Sequence, residues 1–592
     1  MTTTSDVDPV EAVEDAGERV PAAIVHSAAL AEPERVTASR AARSAIPDGA
    51  TYAMAPRYLN RHLSWLDYTE RVLAQAGDDA EPLLERAKFL AIFASLVDEF
   101  FQVRVGGLVE QLHAGLGSVS PDGLTTEEQL RAIRQKVCEL VDMQMRIWRE
   151  QVAPGLAAAG IRYSDYDELD DDDRGDLDRV FDESIFPVLT PLAVDPAHPF
   201  PYISNLSLNL AVTVGEPDSD TVRIARVKVP PLLTRFIVLP DGERFVPLEQ
   251  VIAAHLDRLF PGMRILEQHP FRVTRNADYQ LDDDERDSIL LAVEEILKRR
   301  RRAPRVVRLE IDRHMAQPVL DLLLRELELQ PSDVVTVDGP LDLTGLWALH
   351  RLDRPELKDE PWTPVIPPRL AAIGRGDSGP GQTMFDVLRR QDVLVHMPYE
   401  SFTHSVEALV EAAAADPDVL AIKQTLYRTD GGSPIVSALI AAAETGKQVV
   451  TLVELTARFD EAANIEWARQ LEQAGVHVVY GMVGLKTHAK VCLVVRREGG
   501  VIRRYCHVGT GNYNAVTAKL YEDLGLLTSD PLIGEDLSDL FNYLTGYSRQ
   551  RDYRQLLVAP RTLRSGLLAC IRRQTARGGS GRIVLKVNNI VD

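Results

Sequence analysis

The sequence has few cysteines and no long hydrophobic run. Only four of its 592 residues are cysteines, and their spacing does not suggest a zinc site or a redox couple. No run of about eighteen apolar residues could span a bilayer, and the N-terminus lacks the basic start and apolar segment of a secretion signal. These absences predict a cytoplasmic protein with reduced thiols and no obligate membrane span, and they leave peripheral association with a membrane open. The four cysteines are Cys138, Cys492, Cys506 and Cys570.

The sequence also has fewer basic residues than acidic ones. The chain has 66 Lys and Arg against 88 Asp and Glu, which gives a formal net charge of −22. Because such an acidic chain repels other polyanions at long range, we expect no nucleic-acid partner. With 45% hydrophobic and 26% charged residues, the composition is that of a globular protein. Its length suffices for about three or four domains with cores of their own.

Apolar spacing divides the chain into segments of different type. The first segment has little periodicity and is predicted to form a disordered tail. Helical spacing follows, with helices expected to begin at Pro82 and Thr126. We therefore predict a multidomain α/β protein. Its predicted parts are a tail at 1–55, a helical N-terminal domain at 56–160, an α+β head domain at 161–361, a linker at 362–383, an α/β domain at 384–551 and a final segment at 552–592.

The α/β domain alternates between strand and helix patterns. This alternation predicts a mainly parallel sheet covered by helices, with a site at the carboxyl ends of the strands. The predicted strands are Val419–Leu426, Val449–Leu455 and His477–Tyr480, and the helices between them are Ser433–Glu444 and Asn464–Ala474. In the final segment we predict a helix at Arg561–Gln574 between strands at Gln555–Val558 and Arg582–Val587.

The strongest chemical signal is a histidine two residues before a lysine, His488 and Lys490. On a strand these side chains project to the same face and form an anion site. A neutral imidazole nitrogen can attack phosphorus while the ammonium offsets charge on the phosphate oxygens, so both residues are predicted to be catalytic. The turn 509–511 follows the next predicted strand, and its small residues admit a close anion. Asn512 and Asn514 add donors for phosphate.

Four sequence blocks occur in order around this motif, at 421–428, 454–461, 484–490 and 509–514. The His-x-Lys and Gly-Thr-Gly-Asn patterns resemble half of a phospholipase D-type active site, although Val495 stands where that superfamily usually has an Asp. Together the blocks closely resemble the long-chain bacterial polyphosphate kinases of the phosphohistidine type. The resemblance is to an actinobacterial-like, truncated or divergent copy, and it runs from about residue 58 to the C-terminus.

This resemblance implies both a fold and an activity. The implied fold is a helical N-terminal domain, an α+β head domain, a phospholipase D-like catalytic domain at 384–551 and the incomplete start of a second such domain at 552–592. The implied activity is reversible transfer of the ATP γ-phosphate to inorganic polyphosphate through a phosphohistidine at His488. It also implies Mg²⁺ as cofactor, ATP or ADP and polyphosphate as substrates, and a homo-oligomer. In a chain this acidic, a polyphosphate would need a locally basic channel.

Further site residues follow from matching positions in the family. Tyr521 matches an ATP-contacting tyrosine. Arg428 and Arg458 match the family's magnesium positions, and because a guanidinium cannot ligate a cation we expect them to act through phosphate. Leu96 stands where the family has an ATP-binding Asn. A lost specifying hydrogen bond costs about 1–3 kcal/mol, so this substitution predicts weaker ATP binding.

Two other functions stay open at this stage. One His-x-Lys per chain also fits a phospholipase D-like phosphodiesterase whose two half-sites come from two chains. Leu96, together with the lack of a second matching half-site, fits a non-catalytic polyphosphate-binding paralogue or an enzyme impaired by that missing half-site. His507, just before the Gly-Thr-Gly turn, is an alternative nucleophile to His488.

Overall fold

In a computed structural model, the protein forms two compact units. Of the described residues, those from Tyr58 to Thr363 and from Ala559 onward form one unit, and those within Pro364–Val558 form the other. The predicted tail at 1–55 and the arginines Arg428 and Arg458 lie outside the described residues. The structure describes residues 58–194, 200–217, 221–277, 305–373, 382–427, 432–455, 461–482, 485–546, 548–550 and 552–587.

The first unit begins with helices, as their apolar spacing predicts. The Asn60 side chain accepts the N–H groups of His62 and Leu63 and so caps the first helix. Thr125 and Glu128 form a capping box at the predicted start of the fourth. Pro82 immediately precedes the second helix, so both predicted starts are confirmed. The helices are α1 Arg61–Ala76, α2 Leu83–Phe100, α3 Gly106–His113, α4 Thr126–Ile147, α5 Ala153–Ala158 and α6 Asp171–Val180.

A six-stranded, mostly antiparallel sheet follows, in the order β2-β4-β3-β7-β8-β9, beside a small sheet of order β1-β6-β5. The strands are β1 Arg162–Tyr163, β2 Leu192–Val194, β3 Leu208–Gly215, β4 Val222–Lys228, β5 Phe236–Val238, β6 Arg244–Pro247, β7 Arg264–Arg275, β8 Val306–Asp312 and β9 Val334–Val337. The helices are α7 Leu248–Ala254, α8 Leu256–Leu259, α9 Gln317–Glu326 and α10 Trp347–His350.

Both faces of the larger sheet are covered. Leu208, Leu210 and Val212 of β3 join a core formed with the N-terminal helices. Ala211 lies on the opposite face, in a core shared with Phe271 and with residues of α9. Side chains alternate between faces along a strand, so every residue of β3 is buried.

The second unit is built on a seven-stranded sheet of order β10-β16-β15-β14-β11-β12-β13. Its strands are β10 Val393–Met397, β11 Val419–Leu426, β12 Gln448–Val453, β13 His477–Tyr480, β14 Lys490–Glu498, β15 Val501–Gly509 and β16 Asp523–Thr528. Its helices are α11 Met384–Arg390, α12 Ala408–Ala415, α13 Pro434–Glu444, α14 Glu461–Gln473 and α15 Pro531–Thr545.

The prediction of a mainly parallel sheet is wrong. Only the pairs β11–β12 and β12–β13 are parallel, and a helix connects the strands of each pair. The other four pairs are antiparallel. A tight hairpin through Gly499 and Gly500, both with positive φ, joins β14 to β15, and a hairpin can only produce an antiparallel pair.

The described part of the final segment, residues 552–587, has a helix and no strand. The helix α16, Leu563–Thr575, confirms the predicted helix. Residues 555–558 and 582–587 are not strands, so those two predictions are wrong. The N–H groups of Gln555 and Leu556 donate to the Asp536 carboxylate instead of to a neighbouring strand. Within the described ranges, no helix has the length and apolar character needed to cross a membrane.

Candidate active site

His488 and Lys490 lie close together, but not as neighbours on one strand. His488 is exposed in the loop before β14, and the strand begins at Lys490, which is only 5% exposed. The ammonium of Lys490 turns back and donates to the carbonyl oxygen of His488 at 2.6 Å. The predicted same-face strand geometry is therefore wrong, although the lysine still contacts the histidine's own backbone.

Tyr427 brings the basic groups of this loop together. Its ring lies edge-to-face with the His488 imidazole, with the ring centroids 5.4 Å apart. The Lys490 and Lys486 ammonium groups lie 5.1 and 5.7 Å from the centre of the same ring. An aromatic ring attracts cations through its face, so Tyr427 holds two positive charges beside the imidazole. The result is a local concentration of positive charge in an acidic chain.

A buried carboxylate and an amide position the loop. Glu454, which directly follows β12, is buried, and its carboxylate accepts the Thr487 N–H at 2.8 Å. The side-chain amide of Asn464 donates to the carbonyl oxygens of Tyr427 and Glu454, each at 2.9 Å. These contacts tie together the carboxyl ends of the parallel strands β11 and β12. The loop before β14 that carries Lys486 and His488, here called the basic loop, therefore lies at the edge of the sheet where the alternating pattern predicted a site.

The Gly-Thr-Gly turn lies directly beside the start of β14, because Gly509 pairs with Lys490 in the sheet. Within the turn the two asparagines differ. Asn514 is buried, and its side-chain oxygen caps the next turn by accepting the N–H groups of Val516 and Thr517. Asn512 has a buried side-chain oxygen without a hydrogen-bond partner in the part of the chain that the structure describes. That oxygen can only accept a hydrogen bond, so a phosphate would have to accept from the –NH₂ group of Asn512.

His507 occupies a very different environment from His488. It is only 2% exposed, and its Nδ1 lies 2.7 Å from the Tyr513 hydroxyl. Glycines close in on the ring, since a Cβ at Gly509 or Gly525 would come within 2.7 or 2.9 Å of it. Burial lowers the pKa of His507 to about 3, so the ring is neutral near pH 7. A ring this enclosed is badly placed to receive a phosphoryl group, which favours His488 over His507 as the nucleophile.

The remaining predicted site residues are distributed over both units. Tyr521 is half-buried just after the short helical turn Thr517–Lys519, in the same unit as His488. Leu96 lies in α2 of the other unit and is buried. In the residues that the structure describes, no group of three or more His, Cys, Asp or Glu side chains could hold a metal ion.

The sequence reasoning did not identify three residues that form this site, Tyr427, Glu454 and Asn464. Tyr427 and Glu454 belong to sequence blocks that carried the family resemblance. The only local signal was their position directly after predicted strands, where binding residues of α/β sheets collect. Their contacts join segments far apart in the chain, which spacing alone does not predict.

Three family models match the chain in order. They are the polyphosphate kinase N-terminal domain over residues 58–164, the polyphosphate kinase middle domain over residues 172–349, and the polyphosphate kinase C-terminal domain 1 over residues 383–550. Together they take in most of the described chain, including the basic loop and the Gly-Thr-Gly turn.

Named relatives agree with these matches. The polyphosphate kinase of Mycolicibacterium gilvum is 56% identical over 545 residues, which are 90% of this chain and 74% of the relative. That of Mycobacterium tuberculosis is 55% identical over 557 residues, again 90% of this chain and 74% of the relative. The solved structure of polyphosphate kinase from Porphyromonas gingivalis is similar with a TM-score of 0.74 at 30% identity, over 88% of this chain and 75% of that one. This similarity confirms the predicted multidomain α/β fold.

Proposed function

This chain belongs to the polyphosphate kinase family of phosphotransferases, and we propose that His488 carries the phosphoryl group in its reaction. Its substrates are those of a polyphosphate kinase, ATP and polyphosphate. The comparisons do not favour the phosphodiesterase or the non-catalytic paralogue. One observation carries the assignment to His488: its exposed ring lies beside Lys486 and Lys490 against Tyr427.

The proposed reaction has two displacements. A nitrogen of neutral His488 attacks the γ-phosphorus of ATP, an N–P bond forms, and the bond to the bridging oxygen breaks so that ADP leaves. A terminal oxygen of polyphosphate then attacks the same phosphorus, and the N–P bond breaks to leave a chain one phosphate longer. Both steps run backward in the presence of ADP. In each step Lys490 and Lys486 offset charge on the phosphate oxygens, and the second ring nitrogen of His488 keeps its proton.

The divalent metal that the kinase reaction requires is proposed to be Mg²⁺. The described residues offer no cluster of His, Cys and acidic side chains to hold it directly. We therefore expect Mg²⁺ to arrive on the phosphates of ATP, whose charge it neutralises. Arg428 and Arg458 are proposed to clamp those phosphates rather than the ion, because a guanidinium has no lone pair to donate.

The proposal also covers the residues that contact ATP, the location of the protein and its oligomeric state. Tyr521, Asn512 and Asn514 are proposed to contact ATP or phosphate, and the amide –NH₂ of Asn514 is its available donor because its oxygen caps the turn. We also propose that the protein is cytoplasmic, since ATP is made and used in that compartment. We further propose that it forms a homo-oligomer. Sedimentation at micromolar concentration tests the oligomer, and a single species of monomer mass contradicts it.

The first prediction concerns the covalent adduct. Incubating the protein with ATP labelled at the γ-phosphate should give an acid-labile, base-stable label, which peptide mapping places on His488. ATP labelled at the α-phosphate is the control and should leave the protein unlabelled, because only the terminal group is transferred. A His507→Gln protein should still be labelled. Label on His507, or on no histidine, contradicts the proposal.

A second prediction concerns the substituted nucleotide position. Replacing buried Leu96 by the family residue, Leu96→Asn, should tighten ATP binding by roughly ten- to a hundred-fold, since one specifying hydrogen bond is worth about 1–3 kcal/mol. Isothermal titration of ATP measures the effect. Leu96→Ala controls for the smaller volume and should not tighten binding. Equal affinities in Leu96→Asn and the native protein contradict an ATP role for this position.

A further inference from the structure

The six-stranded sheet of the first unit carries a basic cluster that takes no part in the phosphoryl transfer proposed at His488. Arg226 and Lys228 are two residues apart on β4 and so project to the same face. Lys228 pairs with Asn209 on the neighbouring strand β3, which places the Asn209 side chain on that face as well. The same face carries Ala211 of the apolar core, so the cluster lies at the margin of a packed layer.

Arg226 is a buried cation that pairs with no acidic side chain among the residues that the structure describes. Only 7% of the residue is exposed, and its Nε donates to the Asn209 side-chain oxygen at 2.7 Å. Across the described ranges, no carboxylate forms an ion pair with Arg226 or Lys228. Burial lowers the pKa of Arg226 to about 10, and burial and the Arg226 charge lower the pKa of Lys228. A buried charge that lacks a counter-charge is costly, so a bound anion would stabilise this arrangement.

The opposite face of the same sheet provides a direct contrast. There the buried Arg272 and Arg308 both reach the carboxylates of Asp98 and Glu310. Among the described residues, buried guanidinium groups are therefore neutralised on one face, whereas Arg226 on the other face has no carboxylate partner. Arg226 has two further nitrogen atoms beyond the one that Asn209 accepts, and these can bind a ligand.

The Ser204 hydroxyl contacts one of the two cations, whereas the Ser207 hydroxyl donates to the Ser204 backbone oxygen at 2.7 Å. Lys228 Nζ donates to Ser204 Oγ at 3.4 Å. The Asn209 amide donates to the backbone oxygen of Ser207 at 2.8 Å and to its hydroxyl oxygen at 3.1 Å. Guanidinium, ammonium and hydroxyl donors in one place are the groups that bind phosphate oxygens.

We propose that Arg226 and Lys228, with the hydroxyl group of Ser204, form a second phosphate-binding site, occupied by a segment of an inorganic polyphosphate chain. The identity of the ligand rests on the proposed function, whereas the site itself rests on the unneutralised charge. Cα atoms two residues apart on a strand are separated by about 7 Å, so a linear anion can satisfy both cations better than one phosphate can. The site belongs to the first unit, and His488 belongs to the second.

Isothermal titration of the full chain with tripolyphosphate tests this site. Arg226→Gln and Lys228→Gln should each weaken binding at one class of sites by about ten-fold or more, because each removes a charge-assisted hydrogen bond. Arg223→Gln is the matched control: Arg223 lies on the same strand but faces the other way and already pairs with Glu216. It should leave the isotherm unchanged. Identical isotherms for all four proteins overturn the proposal.

A titration with orthophosphate identifies the ligand, and additional variants separate loss of binding from misfolding. Orthophosphate should bind about ten-fold more weakly than tripolyphosphate, and equal affinities overturn the assignment to a polyphosphate chain. Lys228 is only half-buried, so Lys228→Gln should fold even if Arg226→Gln does not, and Arg226→Lys should retain part of the affinity. Repeating the titrations in a His488→Ala background should give the same differences. The experiments can therefore contradict the proposed phosphohistidine without contradicting the second phosphate site, and the reverse.

Discussion

Replacing Asp98 with alanine should lower the free energy of unfolding of the first unit by about 3–5 kcal/mol, the usual cost of removing one partner from a buried ion pair. Asp98 lies in α2 and is buried. Its two carboxylate oxygens accept from Arg272 Nη1 at 2.8 Å and Nη2 at 2.5 Å, and one of them also accepts from Arg308. Both guanidinium groups are almost fully buried, so the variant would leave two positive charges with only Glu310 and, 3.4 Å from Arg272, Asp342 to offset them.

The pH dependence of this contribution has a definite sign. Burial alone would raise the pKa of Asp98, but the charges and hydrogen bonds of Arg272 and Arg308 outweigh it and hold the pKa below its ordinary value. Because the folded-state pKa is depressed, the stabilisation is present above the unfolded pKa of about 4 and is lost as the pH falls through the folded value. The gap in stability between Asp98→Ala and the native protein should therefore shrink under acid conditions.

Urea unfolding, followed by hydrogen exchange in α2 so that the first unit is observed separately, measures the effect. Asp79→Ala is the matched control, because Asp79 also pairs with an arginine, Arg86, but its side chain is 91% exposed. That variant should change stability little, since exposed ion pairs contribute little. If Asp98→Ala is as stable as Asp79→Ala, the buried cluster does not hold the N-terminal helices to the sheet.

Local patterns predicted the elements of the second unit better than their arrangement. The strands Val419–Leu426 and His477–Tyr480 have the predicted bounds. The alternating pattern did not predict that β14 lies antiparallel beside β11. The direction of a strand relative to its neighbour depends on which strands pair in the folded sheet, and spacing along the sequence does not show this. The predicted strands at 555–558 and 582–587 failed for a related reason. A strand needs a partner, and the first of these segments donates to Asp536 instead.

In the candidate site, too, residues close together in the sequence were predicted, whereas contacts between distant segments were not. His488 and Lys490 could be chosen from a two-residue spacing, and the structure places them in contact through the His488 carbonyl. The ring that gathers the cations belongs to Tyr427, about sixty residues earlier in the chain. Asp98 lies two residues after Leu96 in the sequence, yet its partners Arg272 and Arg308 are 174 and 210 residues away. Contacts at such separations leave no periodic trace in a sequence.

Replacing His488 with alanine should slow formation of the phosphoryl-enzyme by about 10⁴-fold or more, as expected when the group that forms the covalent bond is removed. Lys486 and Lys490 would still attract the phosphates of ATP, so nucleotide binding should persist while the N–P bond cannot form. Quenched-flow measurement of label transferred from γ-labelled ATP gives the rate. Lys486→Met is the matched control, since it alters the same exposed loop and the same contact with Tyr427 without removing the nucleophile. Its rate should fall much less.

The exposure of His488 adds a second, chemical test of the same residue. Because the native ring lies at the surface, the space left in His488→Ala should admit free imidazole, which can take the γ-phosphoryl group in its place. Added imidazole should therefore restore part of the ATP-to-ADP turnover in His488→Ala and have little effect on Lys486→Met. Chemical rescue requires a missing nucleophile, whereas a merely distorted site would not respond. A His488→Ala protein that is labelled within ten-fold of the native rate would transfer the role to another residue, and the enclosed His507 would then have to open before it could react.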